Sequence, residues 1–171
     1  MKSNYVARAC KFMNQFLAFA GDFDINNTWE VSKKVKEFNY RYNRKVIVSS
    51  GSCRIALITA DYVIKWDYNK NNVNNFGGCK DELQNYRMAA ADGYDYLLAK
   101  ITPFTNEKGT FYVMPRIKRV ASYENRCIDL EDFLTRDEYR YICNNFRDLH
   151  LANWGVIGNS AIIFDYAATY H

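Results

Sequence analysis

The sequence predicts an α+β fold: two helices, then a five-stranded antiparallel sheet with one long helix inserted, then a short helical region ending in a hairpin. Three observations carry this. The first forty residues repeat their apolar positions at helical spacing. From Lys45 the period shortens to that of strands, with turn residues between short apolar runs. A single helical stretch, Lys80 to Ala91, then interrupts the strands.

Composition narrows the class. A chain of 171 residues can bury a real core, and 49% apolar residues with 14 Tyr and 11 Phe exclude a disordered protein. The net charge of +4 comes without a dense Lys/Arg run, so nucleic acid is not indicated as a partner. Five cysteines, an odd number with no C-x-x-C pair, predict reduced thiols in a cytoplasmic setting and argue against zinc. The apolar stretch Cys10 to Ala20 is too short to span a membrane and contains Lys11, Asn14 and Gln15, so no membrane association or signal peptide is expected.

Taken in order, Val6, Cys10, Met13, Leu17 and Ala20 fall on one face of a first helix, with Gly21 as its stop. Thr28 is the expected cap of a second helix that carries Val31, Val35, Phe38 and Tyr42 on its apolar face. Lys33, Lys34, Lys36 and Glu37 form its other face, read as solvated charge, with a basic partner-binding face as the alternative. Val46 to Ser49, Arg54 to Thr59 and Tyr62 to Trp66 read as a strand meander with turns at Ser50-Gly51-Ser52 and Ala60-Asp61. Lys70 to Gly78, rich in Asn and Gly, reads as a loop. The inserted helix has Asp81 and Glu82 in its first turn and Leu83, Tyr86 and Ala90 as its expected core stripe. Tyr96 to Thr102 and Thr110 to Arg116, joined by P-F-T-N-E-K-G, read as the last two strands of the sheet.

Beyond the sheet, Ile128 to Leu134 is expected to form a short helix. Thr135 with Glu138 then opens another through a capping box, with Tyr139, Ile142, Phe146 and Leu149 on its apolar face. Two apolar runs around Gly158-Asn159-Ser160 predict a terminal hairpin that delivers Asp165. Asp148 and Asn153 stand just before it. The three oxygen-bearing side chains can converge as a metal–nucleotide site, or serve as turn-capping residues of a buried hairpin.

Residues 146–153, F-R-D-L-H-L-A-N, resemble the catalytic loop H-R-D-x-x-x-x-N of the protein-kinase-like superfamily, with Phe146 in place of the His. Asp165-Tyr166-Ala167 is similar to D-F-G in its Asp, and Tyr62-Val63-Ile64-Lys65 resembles the V-A-I-K strand. F-Y-V-M-P (111–115) resembles the strand that leads into an adenine-binding hinge. Lys65, Glu82, Asp148, Asn153 and Asp165 also appear in the family's order. The resemblance covers about Lys45 to Ala167 and implies a minimal protein-kinase-like fold. Its parts would be a small lobe of sheet and inserted helix (43–116) and a reduced, truncated helical large lobe (117–171), with the N-terminal helical pair (1–42) outside the resemblance.

The implied activity is ATP- and Mg²⁺-dependent phosphoryl transfer to a hydroxyl. It would be that of a serine/threonine-protein kinase of the reduced type found in bacteriophages and bacterial effectors, acting in the cytoplasm on a protein substrate or host partner. In that reading Lys65 contacts the phosphates and Glu82 orients it. Asp148 positions the acceptor, Asn153 and Asp165 hold Mg²⁺, and Gly51 and Met114 line the nucleotide. The alternative is a kinase-shaped binding protein without catalysis, an inhibitor or adaptor.

Three further departures from the family stand out. Only Gly51 remains of the glycine-rich run. His150 follows Asp148 as in small-molecule phosphotransferases such as those acting on aminoglycosides. The sequence stops at His171, before any activation segment. With the distal helices missing, the N-terminal pair is expected to pack on the large lobe, or else to cap the back of the sheet.

Overall fold

The computed structural model describes residues 4–51, 53–68, 78–117, 129–147, 149 and 152–166. Over these residues the protein is α+β, with four α-helices, a five-stranded antiparallel sheet and a separate two-stranded hairpin. It divides into two compact units, Met1–Cys79 with Ile101–Arg116 and Lys80–Lys100 with Ile117–His171. The expected loop at Lys70–Gly78 lies outside the described residues except at Gly78.

In the first unit, α1 (Tyr5–Ala20) is capped by the Asn4 side chain, which accepts from Ala7 N–H. It ends at Gly21, whose φ of 67° suits a residue without a Cβ. Helix α2 (Thr28–Tyr42) is capped one residue earlier than expected. The Asn27 carboxamide accepts from both Trp29 and Glu30 N–H, which places Thr28 inside the first turn. The sheet is formed by β1 (Ile47–Ser50), β2 (Arg54–Ile58), β3 (Tyr62–Asp67), β4 (Thr102–Asn106) and β5 (Gly109–Pro115), in the order β1-β2-β3-β5-β4.

The fourth strand departs from the sequence expectation. Asp95–Leu97 is a short 3-10 turn, and the strand begins at Thr102 and includes Pro103-Phe104-Thr105, which the sequence pattern places in the connecting loop. Pro103 is admissible there because β4 lies at the sheet margin, where its missing N–H costs no ladder bond. The tight turn falls at Glu107-Lys108, where the Asn106 side chain accepts from Lys108 N–H and Gly109 takes φ 138°.

One face of this sheet carries Ile55, Leu57, Ile64, Trp66, Phe111 and Val113, alternating along their strands. These six share a single core with Phe12, Met13 and Phe16 of α1 and Val31, Val35 and Phe38 of α2. The N-terminal helices therefore cap the sheet, the second of the two arrangements open to them. Aromatic edges lock the helix pair: the Phe38 ring meets Phe12 and Phe16 at 5.6 Å and Phe19 at 5.4 Å.

The second unit contains α3, which spans Cys79–Ala91 and belongs to it from Lys80 onward. A 3-10 turn at Leu130–Phe133, α4 (Arg136–Asn145) and the hairpin β6 (Trp154–Ile157) and β7 (Ser160–Ile163) follow. The Thr135–Glu138 capping box is present with both of its hydrogen bonds. Helix α4 stops at Asn145, and Phe146 is extended at φ −118° and ψ 140°, so the expected helix does not reach Leu149. The hairpin turn is two residues, Gly158-Asn159, with positive φ at Gly158 only, the glycine-first pattern of a type II′ turn. Ser160 is already in β7.

The inward face of α3 is also not the expected one. Glu82, Asn85 and Ala89 are buried, whereas Leu83 and Tyr86 are half-buried and Ala90 is exposed. The stripe is shifted by one residue toward the polar positions. No described helix is long and apolar enough to cross a membrane.

Candidate functional site

In the first unit Lys65 lies in the middle of β3, opposite Ala56 of β2 and Tyr112 of β5. Strand alternation puts it on the sheet face away from the α1–α2 core, together with Val63 and Met114, themselves directly opposed across β3 and β5. Lys65 is 9% exposed and Met114 1%. Asp67 is two residues on, and its Oδ1 accepts the Cys79 N–H at 2.9 Å, at the first residue of α3. A carboxylate at a helix N-terminus satisfies an otherwise unpaired donor and complements the helix dipole. A Cβ on Gly78 would meet that carboxylate at 3.2 Å, so the glycine makes room for it. Nearby, burial raises the Tyr112 hydroxyl pKa above its ordinary value, with smaller contributions from Cys79 and Asp67.

Gly51 sits in the β1–β2 turn, where its N–H donates to the Arg54 carbonyl at 2.9 Å and its carbonyl accepts from Tyr68 Oη at 2.9 Å. It is exposed, its φ is not positive, and a Cβ there would meet nothing within 4 Å.

The second unit brings Asn153 and Asp165 together. The Asn153 carbonyl accepts the N–H of Phe164 at 2.9 Å and of Asp165 at 3.3 Å, so the residue just before β6 holds the two just after β7. The hairpin register fixes this, since Trp154 pairs with Ile163 at the open end. Asp165 is further held through its neighbour. Asn85 Nδ2 of α3 donates to the Tyr166 carbonyl at 2.7 Å, and Tyr166 Oη donates to the Ala99 carbonyl at 2.6 Å. Tyr166 is fully buried, edge-on to Phe146 with ring centres 6.3 Å apart. Upstream, Ala99 N–H donates to the Ile163 carbonyl at 2.7 Å, tying the same segment to the chain beyond α3. Glu82, fully buried, is one turn before Asn85 on the same face of α3. Asp148 and His150 lie outside the described residues.

Among the described residues the buried polar or charged side chains are Thr59, Lys65, Glu82, Asn85 and Asn153. None of their buried oxygen or nitrogen atoms lacks a hydrogen-bond partner. Three of the five are residues singled out from the sequence as site candidates, and Lys65 and Glu82 are the only charged ones. Asn85, Tyr166 and Asp67 were not singled out. Asn85 and Asp67 carry no motif, and Tyr166 stands where the D-F-G pattern has an aromatic residue. Among the described residues no three His, Cys, Asp or Glu side chains group as metal ligands. Set beside known proteins, the chain matches no family model and no curated sequence.

Proposed function

We propose that this protein is an ATP- and Mg²⁺-dependent phosphotransferase of the protein-kinase-like superfamily, acting on a hydroxyl of a protein substrate. The observation that supports it is the burial of charge. An ionised side chain removed from water costs several kcal/mol unless partnered, so a chain this size keeps few of them. Here Lys65 and Glu82 are the buried charges among the described residues, and the motif resemblance assigns the phosphate contact and its orienting carboxylate to the same two.

The oxygen donors of Asn153 and Asp165 suit Mg²⁺, which takes few protein ligands and completes its octahedron with water and phosphate oxygens. When bound, the metal would neutralise charge on the transferring phosphoryl group. In this reading Lys65 binds a phosphate oxygen and Glu82 holds the ammonium extended. Asp148 accepts a hydrogen bond from the attacking hydroxyl, while the backbone clamp on residues 164–166 keeps the Asp165 carboxylate in place.

The second reading, a kinase-shaped binding protein without catalysis, is favoured by the β1–β2 turn. Its single glycine is required neither by backbone conformation nor by a close approach, and a phosphate-covering loop needs such freedom. Two measurements separate the readings. ATP-Mg²⁺ raises the melting temperature of the wild-type protein, and Asp165→Ala removes the Mg²⁺-dependent part of the rise. Labelled phosphate passes from ATP to a lysate protein with the wild type and not with Asp148→Ala. A shift without transfer supports the binding protein; no shift at all overturns the phosphotransferase and any other nucleotide role.

A further inference from the structure

The +4 net charge of the chain is matched by the stretch from Glu30 to Lys45 alone, where six Lys or Arg stand against Glu30 and Glu37. These basic groups occupy α2 and its exit, and residues 41–45 are all exposed. They lead directly into β1, an edge of the five-stranded sheet among the described residues.

The ladder fixes which β1 groups face outward. Gly51 N–H bonds Arg54, so 51/54, 49/56 and 47/58 are the hydrogen-bonded pairs with β2, and Val46, Val48 and Ser50 turn their N–H and C=O away from it. The first of these is already occupied. Asn39 of α2 donates from Nδ2 to the Val46 carbonyl at 2.8 Å and accepts the Val46 N–H at 3.1 Å, as a neighbouring strand would. Val48 and Ser50 continue the same edge. On one side of that edge Val48 packs toward the core shared with α2, and Lys36 lies one helical turn before Asn39. On the other side Ile47 is 56% exposed, an apolar side chain beside an open ladder.

We propose that β1 is a docking edge for an extended acidic segment of a partner protein, which adds to the sheet as a further strand with alternate residues acidic toward α2 and apolar toward Ile47. Strand addition gains its affinity from main-chain bonds and its specificity from alternate side chains. The charge complementarity selects the occupant. Nucleic acid would leave the outward Val48 and Ser50 carbonyls facing phosphate, and Lys33 sits over the Trp29 ring at 5.5 Å, the face a base would stack on. A second copy would set two basic flanks side by side. The proposal stands independently of phosphoryl transfer.

The test uses the full chain and a fluorescein-labelled peptide alternating Val and Glu, with a Val/Lys peptide and oligo-dT as comparison probes, read by anisotropy. The expected result is salt-sensitive binding of the Val/Glu peptide only, weakened about tenfold by Val48→Pro and severalfold by Lys36→Glu. Proline at residue 48 removes an N–H the sheet does not use, so an unchanged urea melt identifies a lost contact rather than a lost fold. Should that variant unfold, N-methylation of alternate peptide residues on the edge facing β1 abolishes binding to the wild type by the same logic. The proposal is overturned by no binding of the Val/Glu peptide, by binding indifferent to both the proline and the N-methyl groups, by equal binding of oligo-dT, or by a concentration-dependent dimer that Val48→Pro dissolves.

Discussion

Asn85 shows how much one polar residue can carry. It is 5% exposed on α3, and its amide donates to a carbonyl 81 residues away, next to Asp165. Asn85→Ala takes a hydrogen-bond donor from the buried Tyr166 carbonyl, and the expected loss is roughly 1–3 kcal/mol in urea unfolding. A loss below experimental error would mean water replaces the amide and the clamp is unimportant. Glu138 and Tyr96 give the second residue-scale expectation. The Glu138 carboxylate is held below its ordinary pKa, first by the Thr135 N–H and then by Tyr96 Oη, while the Tyr96 hydroxyl is raised to about 12, chiefly by donating to Glu138. A depressed carboxylate stabilises the fold above its unfolded pKa and loses that contribution as pH falls through its folded value. A raised phenol stabilises below its ordinary pKa of 10 and loses that as pH rises toward about 12. Stability should therefore decline at both ends, and Tyr96→Phe should abolish the alkaline decline and reduce the acid one, where the Thr135 N–H still holds the carboxylate. An unchanged alkaline limb in that variant would remove this pair from the account.

At the scale of elements, the helix pair α1–α2 is defined by its aromatic seam and its caps. Phe38, 1% exposed and ringed by three phenylalanines and Tyr42, has no room to collapse when truncated, and Phe38→Ala should cost about 3–5 kcal/mol. Asn27→Ala removes the acceptor for two N–H groups of α2 and should cost about 1 kcal/mol, whereas Thr28→Ala should cost markedly less because Thr28 is not the cap. Equal losses at the two positions would place the cap where the sequence first suggested. Both losses are read from the midpoint of urea unfolding at constant slope.

For the whole molecule, the decisive feature is that, among the described residues, the first forty supply nine of the seventeen members of the core under the sheet. Deleting residues 1–42 would bare Ile55, Leu57, Ile64, Trp66 and Phe111 on one face, a contiguous apolar surface that soluble monomers rarely carry. The fragment should lose cooperative unfolding and bind a hydrophobic dye, as a molten or aggregated state does. A soluble fragment with a sharp unfolding transition would show that the sheet is covered by something else.

Features set by neighbouring residues were legible in the sequence. The Gly21 stop, the Thr135–Glu138 box, the Gly158-Asn159 turn and the alternation of β2 and β3 depend on contacts within a few positions, and the side-chain preferences for them act locally. Tertiary structure decided the rest. The apolar pattern of α3 points to Leu83, Tyr86 and Ala90, the residues whose own transfer free energies favour burial. The folded chain turns Glu82 and Asn85 inward instead, and what makes a buried carboxamide tolerable is a partner such as the Tyr166 carbonyl, which no local window contains. Pro103 reads as a loop residue for the same reason: whether a missing N–H matters depends on which strand lies at the margin, and strand order is set only when the whole sheet has assembled.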